Sequence, residues 1–265
     1  MNSKNYFLTF ANIKYMNNNR IAQQASDFGI FDKILQLNEN NISDYIEKHR
    51  NFINDNPYGY GLFIWKPKII YDTLLNLNEN DVLIYCDAGI YLNNNGKERL
   101  NEYLSKLING KSILTFCTSE NYLTKTYVKM DAVMNYYPEL CNKNDIACYA
   151  GLMIIKKNES SLTLIKEWLN SCENYNFLNK ERSIEYNEAD YFAGNDCDNG
   201  LFNLCLSKHE NIVTKIYPDE TNLYRDNTQI AHCSDIMANP QSIDWSSLDK
   251  FPFQIRRMTP KFGFN

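Results

Sequence analysis

The stretch Asp81-Val-Leu-Ile-Tyr-Cys-Asp-Ala-Gly89 constrains the fold more than any other part of the chain. Val82 to Cys86 is an unbroken apolar run of strand length, the pattern of a strand buried on both faces. Such a strand needs helices over both sides of its sheet, which points to an α/β architecture. The run ends in an acid followed by two small residues. A carboxylate at the C-terminal end of a buried strand sits where open α/β sheets gather their ligands. Ala88 and Gly89 allow close approach by a bulky group, and Gly89 tolerates backbone angles that other residues avoid. Asp87 is therefore the first functional candidate, with a turn or cap acid as the structural alternative.

The rest of the chain alternates strands and helices. Tyr6 to Phe10 reads as a first strand, Ala11 to Asn19 as a polar loop and Arg20 to Phe28 as a helix, followed by Ile30 to Leu37. Ile42 to Ile53 reads as a helix capped by Ser43. Two glycines among aromatics shape the loop Asn56 to Trp65, and Pro67 suits the first turn of a helix over Lys68 to Leu77. Helices follow at Lys97 to Ile108, Lys125 to Tyr137, Ser161 to Cys172 and Leu201 to Ser207. Strands are expected at Ser112 to Phe116, Cys148 to Ile155, Ile212 to Ile216 and Thr228 to His232. This alternation predicts a mostly parallel central sheet covered on both faces. There is no internal repeat and no low-complexity linker, so a single domain is expected. The tail after Ala238 carries Trp245, Phe251, Phe253, Arg256, Arg257 and Lys261 without clear period.

Composition narrows the function classes. A net charge of -5 with no basic stripe argues against a nucleic-acid partner. No apolar run approaches the roughly 20 residues of a membrane span, and the N-terminus carries no signal-peptide pattern. None of the 8 cysteines forms a Cys-x-x-Cys pair, and several lie within apolar patterns, which favours buried reduced thiols and a cytoplasmic protein. His49 sits in a charged helical stretch and His209 in a polar turn, leaving His232 as the histidine to watch.

Gly59-Tyr-Gly-Leu-Phe-Ile-Trp-Lys-Pro67 and Asp81-Val-Leu-Ile-Tyr-Cys-Asp-Ala-Gly89, in this order, resemble two blocks of a group of bacterial and viral glycosyltransferases of the GT-A type, found in capsule and lipopolysaccharide gene clusters. The likeness runs from the first strand through Arg20-Ile-Ala-Gln-Gln-Ala to Pro218-Asp-Glu-Thr. Ala150-Gly-Leu-Met-Ile-Ile-Lys156, with Asp198-Asn199 downstream, also resembles glycosyltransferase family 8, where Asp-Gln stands in place of Asp198-Asn199. Gly89 occupies the place of the second acid of the usual Asp-x-Asp, as it does in the closer group. The resemblance implies a single GT-A-like nucleotide-sugar domain over residues 1–235 and a C-terminal extension, 236–265, packing on it. It implies a hexosyltransferase-like enzyme (EC 2.4) that moves a sugar from a nucleotide-diphosphate donor, a UDP-sugar being favoured, to a glycan or lipid-linked glycan acceptor in capsule or lipopolysaccharide synthesis. A basic aromatic tail could rest on the inner face of the membrane, or simply pack along the domain.

A donor diphosphate carries about two negative charges that a hard divalent cation neutralises as the sugar–phosphate bond breaks. Asp87 is the expected metal ligand, with His232 as a second, and imidazole favours Mn²⁺ over Mg²⁺. For donor binding the resemblance and the residue chemistry point to Thr9, Phe10, Ala11, Arg20, Trp65, Lys66, Asp87, Ala88, Gly89 and Gly151. Lys66 would supply a point charge and Trp65 a flat face, unless both simply start a helix. Gly151 would let a sugar approach its strand closely. Asp196 and Asp198 flank a helix start. One is expected as a cap, and Asp198, at the family position, is the preferred catalytic carboxylate. It would act as general base in an inverting reaction or stabilise positive charge in a retaining one, which the family-8 match favours. Two other classes compete. One is a sugar-phosphate nucleotidyltransferase, against which stands the absence of glycine between Phe10 and Asn19. The other is a non-catalytic glycan- or nucleotide-binding module.

Overall fold

A computed structural model describes residues 3–14, 17–107, 110–118, 120–216, 220–221 and 250–255. Its strands are β1 (Asn5–Phe10), β2 (Lys33–Leu37), β3 (Val82–Cys86), β4 (Ile90–Leu92), β5 (Ile113–Cys117), β6 (Cys148–Lys156), β7 (Val213–Ile216) and β8 (Phe253–Ile255). The helices are α1 (Asn19–Phe28), α2 (Ser43–Lys48), α3 (Arg50–Asp55), a four-residue turn α4 (Gly59–Leu62), α5 (Trp65–Leu75), α6 (Lys97–Lys106), α7 (Met130–Tyr136), α8 (Glu159–Glu173), α9 (Tyr175–Leu178) and α10 (Cys197–Lys208).

Six strands form one sheet in the order β2-β1-β3-β6-β5-β7. All run parallel except β6, which is antiparallel to both β3 and β5. The mostly parallel sheet expected from the sequence is therefore present, with one reversed strand at its centre. That reversal matters for the site. Because β6 runs against β3, its first residues lie beside the end of β3, with Leu152 opposite Cys86.

The period of two along each strand splits the core into two layers. Phe7, Val82, Ile84, Leu152 and Ile154 face one side, where Ile21 and Phe28 of α1 and Leu100 and Tyr103 of α6 cover them. Leu8, Leu83, Tyr85, Met153 and Ile155 face the other, against Ile69 and Leu74 of α5, Trp168 of α8 and Phe202 of α10. From Leu201 to Ser207, α10 is buried on every side, as expected of a helix that is apolar all round.

Three expectations are corrected. Ile42 to Ile53 is not one helix: it breaks at His49 into α2 and α3, preceded by a 3-10 turn, Glu39–Ile42, that Asn38 rather than Ser43 caps. His49 is buried rather than on a charged face, its Nδ1 2.6 Å from the Tyr175 hydroxyl. Lys125 to Tyr137 also divides, because Lys129 is extended between a 3-10 turn, Thr124–Tyr127, and α7, where its buried ammonium donates to Asn176 O and Asn179 Oδ1. The strands β4 and β8 had no sequence signal, and they pair antiparallel as a separate ribbon. The expected strand Thr228 to His232 lies outside the described residues. Cys86, Cys117, Cys141, Cys148, Cys172, Cys197 and Cys205 are free thiols, all buried except the half-buried Cys141.

Candidate active site

Asp87 follows β3 directly, and its amide donates to Gly151 O at 2.8 Å, fastening it to the reversed strand β6. Each of its carboxylate oxygens accepts a phenol: Oδ1 from Tyr85 at 2.6 Å and Oδ2 from Tyr149 at 3.0 Å. The Lys66 ammonium lies 3.4 Å from Asp87 Oδ1 and 3.3 Å from Asp198 Oδ2. One buried cation thus joins an acid at the end of the central strand to an acid in the first turn of α10.

Local sequence explains how Lys66 arrives there. Gly59, Tyr60, Gly61, Leu62 and Phe63 all have positive φ, so α4 winds left-handed before the chain enters α5. A side chain costs about 1–2 kcal/mol per residue in that conformation, which the two glycines avoid. A Cβ on Gly59 would come within 2.4 Å of the Phe63 ring, and one on Gly61 within 2.6 Å of Ile53 Cγ1. The turn is held by Trp65 Nε1, which donates to Gly59 O at 3.0 Å. It sets the Phe63 ring 4.6 Å from the Lys66 ammonium.

On the other side, α10 is stapled to β6 by two asparagines. Asn199 Oδ1 accepts from Ala150 N at 2.7 Å. Asn203 accepts from Cys148 N at 2.6 Å and donates to Cys148 O at 2.9 Å. Trp168 Nε1 donates to Asp198 O at 2.9 Å, fixing the first turn of α10 from behind. Asp196 precedes that turn, accepting from Asn199 Nδ2 at 2.6 Å and the Tyr122 hydroxyl at 3.1 Å.

The electrostatics follow from burial. Desolvation pushes the Asp198 carboxyl up to about 7; the Lys66 ammonium pulls the other way, and Asp196 and Asp87 add to the rise. Burial alone would lower Lys66, but Asp198 and Asp87 hold its ammonium above the usual lysine range. Burial also raises Asp196, against the opposing pull of Asn199 and Tyr122. The site therefore holds a fixed cation and a carboxyl that exchanges its proton near neutrality. A group poised in that range is suited to acid–base or charge-stabilising work.

No protein-family model matches the chain, and no curated protein matches its sequence. Solved structures do match. A glycosyltransferase involved in the glycosylation of the major capsid of PBCV-1 aligns over 95% of this chain and 91% of its own, at TM-score 0.50 and 10% identity. The fold is shared with that enzyme. Mouse xyloside xylosyltransferase 1 aligns over 96% of this chain and 98% of its own, at TM-score 0.45 and 9% identity. The glycosyltransferase GlyE of Streptococcus pneumoniae TIGR4 covers 100% of this chain with 57% of its own, at TM-score 0.47 and 12% identity.

The structure brings Lys66, Asp87, Gly151, Asp196 and Asp198 together, and gives other candidates different surroundings. Trp65 is buried, stacked on Phe10 with ring centroids 4.0 Å apart, so that face of its indole is core. The Arg20 guanidinium donates to Ala88 O at 2.5 Å and Ile90 O at 2.9 Å and lies 3.7 Å from the centre of the Tyr91 ring. It clamps the turn after Asp87. Thr9 and Phe10 end β1 and Ala11 follows it, all three buried, and Ala11 N donates to Leu37 O at 3.1 Å. Gly89 has no positive φ, and among the described residues no atom lies within 4 Å of a Cβ built there, so no unusual backbone angle explains the glycine. What approaches Gly151 closely is Asp87 Oδ2 and the Tyr149 ring, where a sugar was expected. His232 lies outside the described residues.

The sequence reading missed Tyr85 and Tyr149. A signal for Tyr85 was present, since a Tyr-x-Asp spacing puts the phenol and carboxylate on one side of an extended chain. Tyr149 is brought to Asp87 by a strand reversal that no local pattern announces.

Proposed function

We propose that the protein is a glycosyltransferase that moves a sugar from a nucleotide-diphosphate donor to a surface-glycan acceptor. The observation that carries this reading is the buried Lys66 bridging Asp87, at the end of β3, and Asp198, in the first turn of α10, 3.4 and 3.3 Å away. The shared fold of the PBCV-1 capsid glycosyltransferase supports the reaction class.

In this reading Asp87 is the acid that meets the donor. Its side chain is 21% exposed, against 4% for Asp198. Among the described residues no group of three or more histidine, cysteine or acidic side chains is placed to hold a metal. A hard cation bound through one carboxylate and substrate phosphates needs no such cage, so an exposed oxygen ligand at Asp87 fits Mg²⁺ or Mn²⁺. Such an ion would neutralise the departing diphosphate. Among the described residues nothing lies within 4 Å of a Cβ built on Gly89, which is where the donor would meet that carboxylate in this reading. Lys66, sealed below, keeps the two acids from repelling each other and holds their spacing. Asp198, ionised above about 7, stands across the Lys66 ammonium from Asp87 and is the second carboxylate of the reacting centre in this reading. There it would either take the acceptor's proton or stabilise positive charge at the anomeric carbon. A UDP donor and an acceptor in capsule or lipopolysaccharide synthesis complete the proposal.

A thermal-shift screen of UDP, GDP, CDP and ADP, with and without Mn²⁺, tests it. A ligand at 100 times its dissociation constant adds about 2.7 kcal/mol of stability. One nucleotide should raise the melting temperature only with metal, and Asp87→Ala should abolish the effect. Binding without any donor hydrolysis would favour a non-catalytic nucleotide- or glycan-binding module, and no shift with any nucleotide would sink the reading.

A further inference from the structure

We propose that Tyr149 is a positioning residue that aims Asp87 at its ligand, and that Gly151 is glycine to let it do so. This rests on the reading of Asp87 as the ligand-binding carboxylate and adds how its orientation is set.

A partly exposed carboxylate at a strand end can rotate about two bonds, and each misplaced rotamer removes it from the ligand. Here the backbone is fixed first, because Asp87 N donates to Gly151 O at 2.8 Å. Tyr85, fully buried, donates to Oδ1 at 2.6 Å and holds that oxygen toward the core. The remaining oxygen is Oδ2, and Tyr149 donates to it at 3.0 Å. The Lys66 ammonium lies about equally far from both oxygens, 3.4 Å from Oδ1 and 3.5 Å from Oδ2, so it is the two phenols, one on each oxygen, that settle the rotation of the carboxylate plane.

Tyr149 reaches Oδ2 only across Gly151. A Cβ at that position would lie 2.3 Å from Tyr149 Cζ, 2.4 Å from its hydroxyl and 2.4 Å from Asp87 Oδ2. All three are far inside van der Waals contact, so any side chain at position 151 must push the phenol and the carboxylate out together. Gly151 has no positive φ, so its backbone alone does not demand glycine. The reason for glycine is the room that this pair of side chains takes.

Tyr149→Phe removes one hydroxyl and no volume, and Gly151→Ala adds one methyl. The probe is Mn²⁺ itself, followed by electron paramagnetic resonance in the presence of UDP and of the other nucleoside diphosphates. Tyr149→Phe should keep the melting temperature of the unaltered protein and weaken Mn²⁺ binding about tenfold, the size expected for one hydrogen bond to a charged acceptor. Gly151→Ala should weaken it further. In a donor-hydrolysis assay Tyr149→Phe should raise KM with little change in kcat, a split that a merely structural residue would not give. Equal Mn²⁺ affinity in Tyr149→Phe and the unaltered protein would overturn the inference and leave the reading of Asp87 standing. Failure of the unaltered protein to bind Mn²⁺ with any of the nucleotides would overturn both.

Discussion

Lys66 is the residue on which the charge of the site turns. Its ammonium is buried between two carboxylates, and removing one partner of a buried ion pair costs about 3–5 kcal/mol because the others are left uncompensated. Lys66→Met should lose about that much in urea unfolding. It should also raise the Asp198 carboxyl further, since the ammonium is the group that pulls it down. Donor hydrolysis by the unaltered protein should rise with pH through a midpoint near the value of about 7 set by burial, and the midpoint should move upward in Lys66→Met. Asp198 also links folding to pH. Folded, it keeps its proton to about 7, whereas unfolded it releases it near 3.8, so the native state binds the extra proton across that window. Stability from this group is complete below the window and falls as pH rises through it. Between about pH 5 and pH 8 the unaltered protein should therefore lose more unfolding free energy than Asp198→Asn, and equal losses would show that the carboxyl is not raised. At this scale the sequence was informative about which residues carry charge. Asp87, Lys66 and Asp198 could be picked by type and position, but their contacts could not, because Lys66 reaches Asp198 across two elements far apart in the chain.

Elements place these residues by two devices, one backbone and one side chain. The backbone device is the left-handed turn α4. Gly61 has φ +84, and a Cβ there would lie 2.6 Å from Ile53 Cγ1 and 3.3 Å from Ile53 Cα. Gly61→Ala should combine left-handed strain of about 1–2 kcal/mol with overpacking of similar size, an expected loss of about 2–4 kcal/mol by chemical denaturation. The side-chain device is Asn203, which pairs with both the N–H and the C=O of Cys148. Asn203→Leu leaves both groups buried and unpaired, at about 1–3 kcal/mol each, and should loosen α10 from β6. Hydrogen exchange at the Cys148 amide would show it, and unchanged protection there would contradict the staple. The long apolar runs β1, β3, β5 and β6 were legible because their residues are buried on both sides and carry no polar alternation. The breaks at His49 and Lys129 were not, since each follows from a side chain bonding to a residue far along the chain: Tyr175 for His49, and Asn176 and Asn179 for Lys129. Helical period alone runs straight through such positions.

Across the whole molecule, the ribbon β4–β8 joins the turn after Asp87 to residues near the end of the chain. Ile90, Tyr91 and Leu92 pair with Ile255, Gln254 and Phe253, and Asn93 N donates to Pro252 O at 2.9 Å. Phe253 is buried against Phe116, placing the late segment in the same core layer as α1 and α6. Three-residue strands carry no usable period, so this contact was not legible in the sequence. Its closest point is Gly96, where a Cβ would lie 2.3 Å from Pro252 N, 2.4 Å from Pro252 Cα and 2.5 Å from Phe251 C. These are backbone atoms, which cannot swing aside as a flexible side chain can. Gly96→Ala should therefore displace residues 250–255 as a unit, unpairing β8 and drawing Phe253 out of the core. The six-stranded sheet does not depend on that ribbon, so the variant should stay folded while losing part of the roughly 3–5 kcal/mol that a buried phenylalanine contributes. Limited proteolysis should then cut near residue 253 in Gly96→Ala well before it cuts the unaltered protein, with the remainder equally resistant. The consequence for the site runs through Arg20. It holds Ala88 O and Ile90 O, so the turn beside Asp87 is anchored on one side by that guanidinium and on the other by β8. If the ribbon steadies the turn, Gly96→Ala should also weaken nucleotide–Mn²⁺ binding, and Arg20→Ala should add to the loss. Early cleavage with unchanged binding would show instead that Arg20 alone suffices to hold the turn.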